Sequence, residues 1–154
     1  MPQQDLLRNI YLFRDLTPEE MNKIGALVEL ETFVPGDEIF TQGDKAVSLL
    51  VIRYGSVRVI KSMSEGSLEV ANLGSGSHFG EMALLDHEPR SATVVASEKT
   101  ELIRIDYEAL NKVLLEHPPI ANKFYKAIAH FLCGRLRLTT KDLTFAREQS
   151  LHLI

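Results

Sequence analysis

From about Glu31 onward the chain is broken every few residues by Gly, Pro, Asp or Ser, and this punctuation most limits how it can fold. "FVPGDEIFTQGD" sets short apolar pieces among turn residues, and "LLVIRYGSVRVIKS" is rich in β-branched residues but interrupted at Gly55. Ser64-Glu65-Gly66 reads as a hairpin turn, and "SATVVAS" and "TELIRIDY" supply two further strands. Runs this short build no long helix, and their spacing suits a roll, jelly roll or small barrel.

The two ends have a different period. In "LTPEEM", Thr17 reads as an N-cap, Pro18 as the first helical residue and Glu20 as the return half of a capping box. Leu16 and Met21 are placed to staple that start, and Ile24, Leu27 and Val28 continue with helical spacing. After the last strand, "YEALNKVLLEH" predicts a short helix ended by Pro118-Pro119, and a longer helix follows from about Ile120 to about Gln149. On that helix Phe124, Phe131, Leu138 and Phe145 recur every seven residues and form one stripe, with Leu136 and Leu143 on a second. One stripe for the helix's own domain and one for a partner helix is the expectation. The fold class is therefore mixed α+β. An antiparallel β-roll is flanked by N-terminal helices and a long C-terminal helix. Residues 1–154 are expected to form one domain, with helices over 1–30, the roll over 31–106 and helices over 107–154.

Composition excludes several classes. Hydrophobic residues make up 45% of 154, enough for a core. Net charge is -4 with both signs interspersed, which argues against a nucleic-acid footprint. No apolar run spans a bilayer and "MPQQDLLRNIYLF" lacks a signal-peptide core, so a cytoplasmic protein that binds no membrane is expected. Cys133 is alone, excluding an intramolecular disulfide, and reads as a small buried hydrophobe. No nucleophile–base constellation is present, and His78, His87 and Glu81 lack the spacing of a metal-ligand set, so no enzyme and no cofactor are expected.

The chemistry concentrates in "GSGSHFGEMALLDHEPRSATV". Gly74, Gly76 and Gly80 let main-chain N–H groups approach a ligand closely. "EMALLD" reads as about one helical turn from Glu81, whose unpaired N–H groups favour an anion. Arg90 adds a planar fork suited to phosphate oxygens, and Ser91 a hydroxyl. Glu81 is a pure acceptor and suits a sugar hydroxyl. Acceptor and fork together imply a ligand with both hydroxyl and phosphate, such as a nucleotide. The plain alternatives are a surface ion pair of Arg90 with Glu88 and a dipole-complementing role for Glu81.

"FGEMALLDHEPRSATV" resembles the phosphate-binding cassette (79–94 here) of the cyclic nucleotide-binding domain family, and "FVPGDEIFTQGD" and "GSVRVI" resemble that family's first strands. The resemblance runs from about Leu16 to about Leu143. It implies a jelly-roll-like double-stranded β-helix with a short phosphate-binding helix, and a ligand that is cAMP or cGMP. Glu81 would accept from the ribose 2′-hydroxyl, and Gly80 would contact the ribose through its backbone. Arg90 and Ser91 would hold the cyclic phosphate, and Met82 and Ala83 would offer backbone N–H groups. "RLRLTTKDL" is similar to the stretch of the catabolite activator protein where a Thr-Ser pair contacts adenine, one residue from each subunit of a dimer. Thr139 and Thr140 occupy those places, with solvent exposure or bonding back to the previous turn as the alternative. Ser91, where cGMP-selective relatives often carry threonine, favours cAMP. The DNA-binding relatives continue into a helix-turn-helix, and this sequence stops at Ile154, so no nucleic-acid partner is expected. A homodimer through the C-terminal helix and an effector protein, not identified by the sequence, are the remaining implied partners. A ligand-free dimerisation domain of the same fold is the competing reading.

Overall fold

The computed structural model describes residues 6–152. A 3-10 turn at Tyr11–Phe13 leads to helix α1, Pro18–Gly25. Its start is the capping box expected from the sequence. Glu20 N–H donates to Thr17 Oγ1 at 3.2 Å, and Thr17 N–H donates to Glu20 Oε1 at 2.8 Å. Leu16 and Met21 both pack into the core beneath that start. The helix stops at Gly25, so Leu27 and Val28 lie beyond it, and β1 begins at Glu29, two residues before the expected change of character. Ile24 and Val28 are buried regardless, because the same core receives both.

Eight antiparallel strands form two four-stranded sheets. The first joins β1 (Glu29–Phe33), β8 (Thr100–Asp106), β3 (Ser48–Tyr54) and β6 (His78–Phe79) in that order. The second joins β2 (Glu38–Phe40), β7 (Thr93–Ala96), β4 (Ser56–Ser62) and β5 (Ser67–Gly74). Gly55 separates β3 from β4 at φ 102, and a Cβ there would meet the Lys99 carbonyl at 2.6 Å, so only glycine fits. The β4–β5 hairpin closes with Met63 N–H donating to the Gly66 carbonyl at 2.9 Å, where the Ser64-Glu65-Gly66 turn was expected.

Strand β3 is buried on both faces, and this splits the core in two. Leu50 and Ile52 point into the roll with Val57, Val94 and Leu102. Leu49 and Val51 point outward with Ile103 and Ile105, where the helices cover them. Side chains of this size stabilise by about 1.5–3 kcal/mol each when fully buried. Phe13 and Phe124 stack with centroids 5.6 Å apart and clamp the N-terminal segment to the C-terminal helix.

A short helix α2, Glu81–Asp86, sits between β6 and β7. Helix α3, Tyr107–Glu116, follows β8, and helix α4 runs over Pro118–His152. The two prolines do not end α3 so much as open α4. Their missing N–H groups cost nothing in a first turn, where no intrahelical acceptor awaits them. Helix α4 is thus longer than expected at both ends. Of its first stripe, Phe124 is buried and Phe131 half-buried, whereas Leu138 and Phe145 are 59% and 63% exposed. Leu136 and Leu143 are exposed too. Cys133 corrects the sequence reading: it is exposed, because helical spacing places it on the outer face of α4 with Lys126 and Ala129, which are exposed too. No helix among the described residues is long and apolar enough to cross a membrane.

Candidate functional site

The site is built where β6 gives way to α2. Gly80 caps that helix in a left-handed conformation, φ 98, a region that L side chains rarely adopt. Space forbids a side chain as well. A Cβ on Gly80 would lie 2.5 Å from Tyr107 Oη, 2.8 Å from the Ser48 carbonyl oxygen and 2.9 Å from Arg90 Nη1. The backbone is therefore pressed against the two residues that flank the guanidinium. Of the other glycines in this stretch, Gly76 adopts positive φ whereas Gly74 closes β5 without it.

Arg90 follows α2 in a loop tied to the β2–β3 connection, its own N–H donating to the Asp44 carbonyl at 2.8 Å. The residue is 8% exposed, which removes the surface ion-pair alternative, and no bond to Glu88 forms. Its Nη2 donates to the Ser48 carbonyl at 2.8 Å, and its guanidinium carbon stands 4.3 Å over the Phe40 ring. Phe40 in turn meets Phe79 edge-on, so the fork rests on an aromatic floor inside the roll. Among the described residues no carboxylate pairs with it directly. Burial pushes the guanidinium below the ordinary arginine value, while nearby Tyr107, Asp44 and Glu81 act in the opposite direction. A cavity of about 200 Å³ adjoins it, lined by Phe40, Asp44, Lys45, Ser48 and Arg104 among others. Glu81 does not line it.

Glu81 is the first residue of α2 and is buried. One carboxylate oxygen, Oε2, takes a hydrogen bond from His78 Nδ1 at 3.0 Å. A dipole-complementing role therefore coexists with a specific side-chain partner. Intrahelical bonding starts with Leu84 N–H to the Gly80 carbonyl at 3.0 Å, so the N–H groups of Met82 and Ala83 find no acceptor in the helix itself. Met82 and Ser91 are exposed.

Gly80, Glu81, Met82, Ala83, Arg90 and Ser91 are thus neighbours along one turn and loop. Thr139 and Thr140 are exposed, and each hydroxyl donates back along the helix, to the Arg135 and Leu136 carbonyls at 3.0 and 2.9 Å. That is the alternative raised from the sequence, and within one chain it prevails. Ser48, Phe40 and Tyr107 were not singled out, and Phe131 was read only as part of the packing stripe on the long helix. Only the closing of the roll brings them beside the cassette. Among the described residues no three His, Cys, Asp or Glu side chains are grouped to hold a metal.

Residues 30–117 match the family model described as cyclic nucleotide-binding domain. The chain belongs to the cyclic nucleotide-binding domain family. Among its relatives, the cyclic AMP receptor protein of Thermus thermophilus is 38% identical over 136 residues, covering 86% of this chain and 60% of the relative. A cGMP-dependent protein kinase of Toxoplasma gondii is 35% identical over 127 residues, covering 81% of this chain and 12% of the kinase. The chain thus spans less than two thirds of the length of these relatives. The crystal structure of the Thermus thermophilus catabolite activator protein superposes with a TM-score of 0.74 at 34% identity, over 88% of this chain and 62% of that one. A cyclic nucleotide-binding domain from Methylobacillus flagellatus gives 0.79 at 30% identity, over 92% and 80%.

Proposed function

We propose that this chain is a sensor module that binds cAMP in preference to cGMP and passes occupancy to a partner protein through the C-terminal helix. One observation carries the reading. Arg90 is a buried cation with a carbonyl, an aromatic face and the Tyr107 phenol for company but, among the described residues, no carboxylate paired with it. Burying a charge without a counter-charge is costly, so the site is prepared for an anion that arrives from outside. A cyclic phosphodiester fits, held by the free edge of the guanidinium, the Ser91 hydroxyl and the N–H groups of Met82 and Ala83. Glu81 takes the ribose 2′-hydroxyl, and the Gly80 backbone lies against the sugar. The role is binding, not catalysis.

Preference for cAMP rests on Ser91, because relatives named for either nucleotide are similar to this chain. Thr139 and Thr140 reach the base only when α4 repositions or a second subunit supplies them. Signalling requires that the nucleotide contact two arrangements of α3 and α4 unequally. A second reading, a dimerisation unit without ligand, is favoured by the exposed Leu136, Leu138, Leu143 and Phe145. Calorimetric titration with each nucleotide decides. Saturable binding, tighter for cAMP, is expected, and no heat with either nucleotide overturns the sensor reading.

A further inference from the structure

The His78 side chain is 3% exposed and wedged between two elements. One edge of its ring serves Glu81, through Nδ1 at 3.0 Å. The ring also packs at a tilt against Phe131 of α4, with centroids 4.5 Å apart. Phe131 is itself backed by Tyr11, at 5.9 Å. The ring is therefore fixed from behind and has little freedom to turn. Its other nitrogen, Nε2, is sealed from solvent and has no hydrogen-bond partner.

This one-sided arrangement is informative. A phenylalanine would fill the same gap against Phe131 without orphaning a buried polar atom, which native structures largely avoid. What the imidazole adds is one directed donor to Glu81. An ionised carboxylate only accepts, so Nδ1 carries the proton of that bond. Among the described residues His78 is the sole hydrogen-bond partner recorded for this carboxylate. Oε2 is engaged, and Oε1 has no hydrogen-bond partner among the described residues, yet it is not sealed from solvent as Nε2 is. The carboxylate is thus held at one oxygen while the other is left available to a ligand.

We infer that His78 is the positioning residue that aims Glu81 Oε1 at the ribose 2′-hydroxyl, with Phe131 of α4 as its backstop. The inference rests on the sugar-binding role proposed for Glu81. Its consequence is discrimination: a carboxylate held in one orientation separates a ribose from a 2′-deoxyribose more sharply than one free to rotate. It also makes the sugar end of the site sensitive to where α4 stands.

The test is calorimetric titration of the wild-type protein, His78→Phe and His78→Asn with cAMP and 2′-deoxy-cAMP. Phenylalanine keeps the packing and removes the donor. Asparagine places an amide N–H near the position of Nδ1 and restores it. The wild type should prefer cAMP by about tenfold or more, the scale of one hydrogen bond to a charged group. His78→Phe should lose most of that preference while its affinity for the deoxy analogue changes little, and His78→Asn should recover it. Equal weakening of both ligands in His78→Phe, or an unchanged preference, overturns the inference and leaves nucleotide binding standing. A wild-type protein that binds neither nucleotide sinks the sugar-site reading and this inference together.

Discussion

Tyr107 Oη donates to the carbonyl of Gly80 at 2.6 Å, tying the first residue of α3 to the residue that caps α2. The Tyr107 N–H meanwhile donates to the Val47 carbonyl at 2.9 Å. The cassette, the β2–β3 connection and the C-terminal helices thus share one joint. Burial pushes the Tyr107 phenol above its ordinary value, with Arg90 opposing and Glu81 adding to it, so the phenol remains a donor at neutral pH. Any ligand that shifts Gly80 must carry α3 with it or break this bond.

Gly80→Ala should therefore damage the site and the fold at once. The methyl group would meet the Ser48 carbonyl, which belongs to the sheet and has no room to retreat, and it would hold a left-handed backbone that glycine alone adopts freely. A destabilisation of at least about 1–3 kcal/mol is expected from the backbone conformation alone. Urea denaturation checks it, and wild-type stability in Gly80→Ala would mean the turn relaxes at no cost.

Arg90→Ala should weaken cAMP by about tenfold to a hundredfold, the range for charge-assisted hydrogen bonds of about 1.5–3 kcal/mol. Arg90→Lys should recover only part of this. A lysine keeps the charge, but it cannot hold the Ser48 carbonyl, lie over Phe40 and meet two phosphate oxygens together. Titration calorimetry measures both variants, and equal affinities for wild type and Arg90→Ala would place the phosphate elsewhere.

Much of this was legible in the sequence because it rests on local chemistry. The capping box at Thr17 needs four consecutive residues, and the hairpin at Gly66 needs three. The grouping from Gly80 to Ser91 follows from their nearness in the chain. What escaped notice depends on distant segments. Pairing of Val51 with His78 brings β6 onto the sheet, and only then does His78 face Phe131, fifty-odd positions later. Cys133 misled for a different reason: Leu132 beside it still packs against the core, but the helical period turns Cys133 to the outer face with Lys126 and Ala129. The Pro118-Pro119 boundary was correctly placed as a break, yet proline marks a helix start as readily as an end.

Stability should depend on acid through Glu20. Its carboxyl is held below the ordinary glutamate value first by the hydrogen bond from Lys123 Nζ at 2.6 Å, and next by the Thr17 N–H. The unfolded state therefore binds the proton more tightly than the folded state. The contribution is present above the ordinary glutamate value of 4.5 and is lost as pH falls below it, through the lower folded value. Glu20→Gln keeps an acceptor for the capping box but abolishes the titration. Between pH 6 and pH 3 the wild type should lose its advantage in Tm over Glu20→Gln. Parallel Tm curves would mean that the Lys123 contact contributes nothing in solution.

The outer half of α4 should be an interface between two copies. Leu138 and Phe145 lie seven residues apart, Leu136 and Leu143 likewise, and all four are exposed beyond the point where the helix leaves its own core. A hollow of about 740 Å³ at the base of this stretch, lined by Tyr11, Phe131, Gly134 and Leu138 among others, would receive the partner's side chains. Heptad spacing of this kind pairs helices about a twofold axis. Sedimentation should show a particle of twice 17.3 kDa for the wild type and a monomer for Leu138→Glu/Phe145→Glu. The double variant should also bind cAMP more weakly, because Thr139 and Thr140 sit on the same face-forming turns and a neighbouring subunit would bring one of them to the base. A monomeric wild type at tens of micromolar would assign these side chains to a different partner. A monomeric double variant with undiminished affinity would confine the nucleotide contacts to the cassette of a single chain.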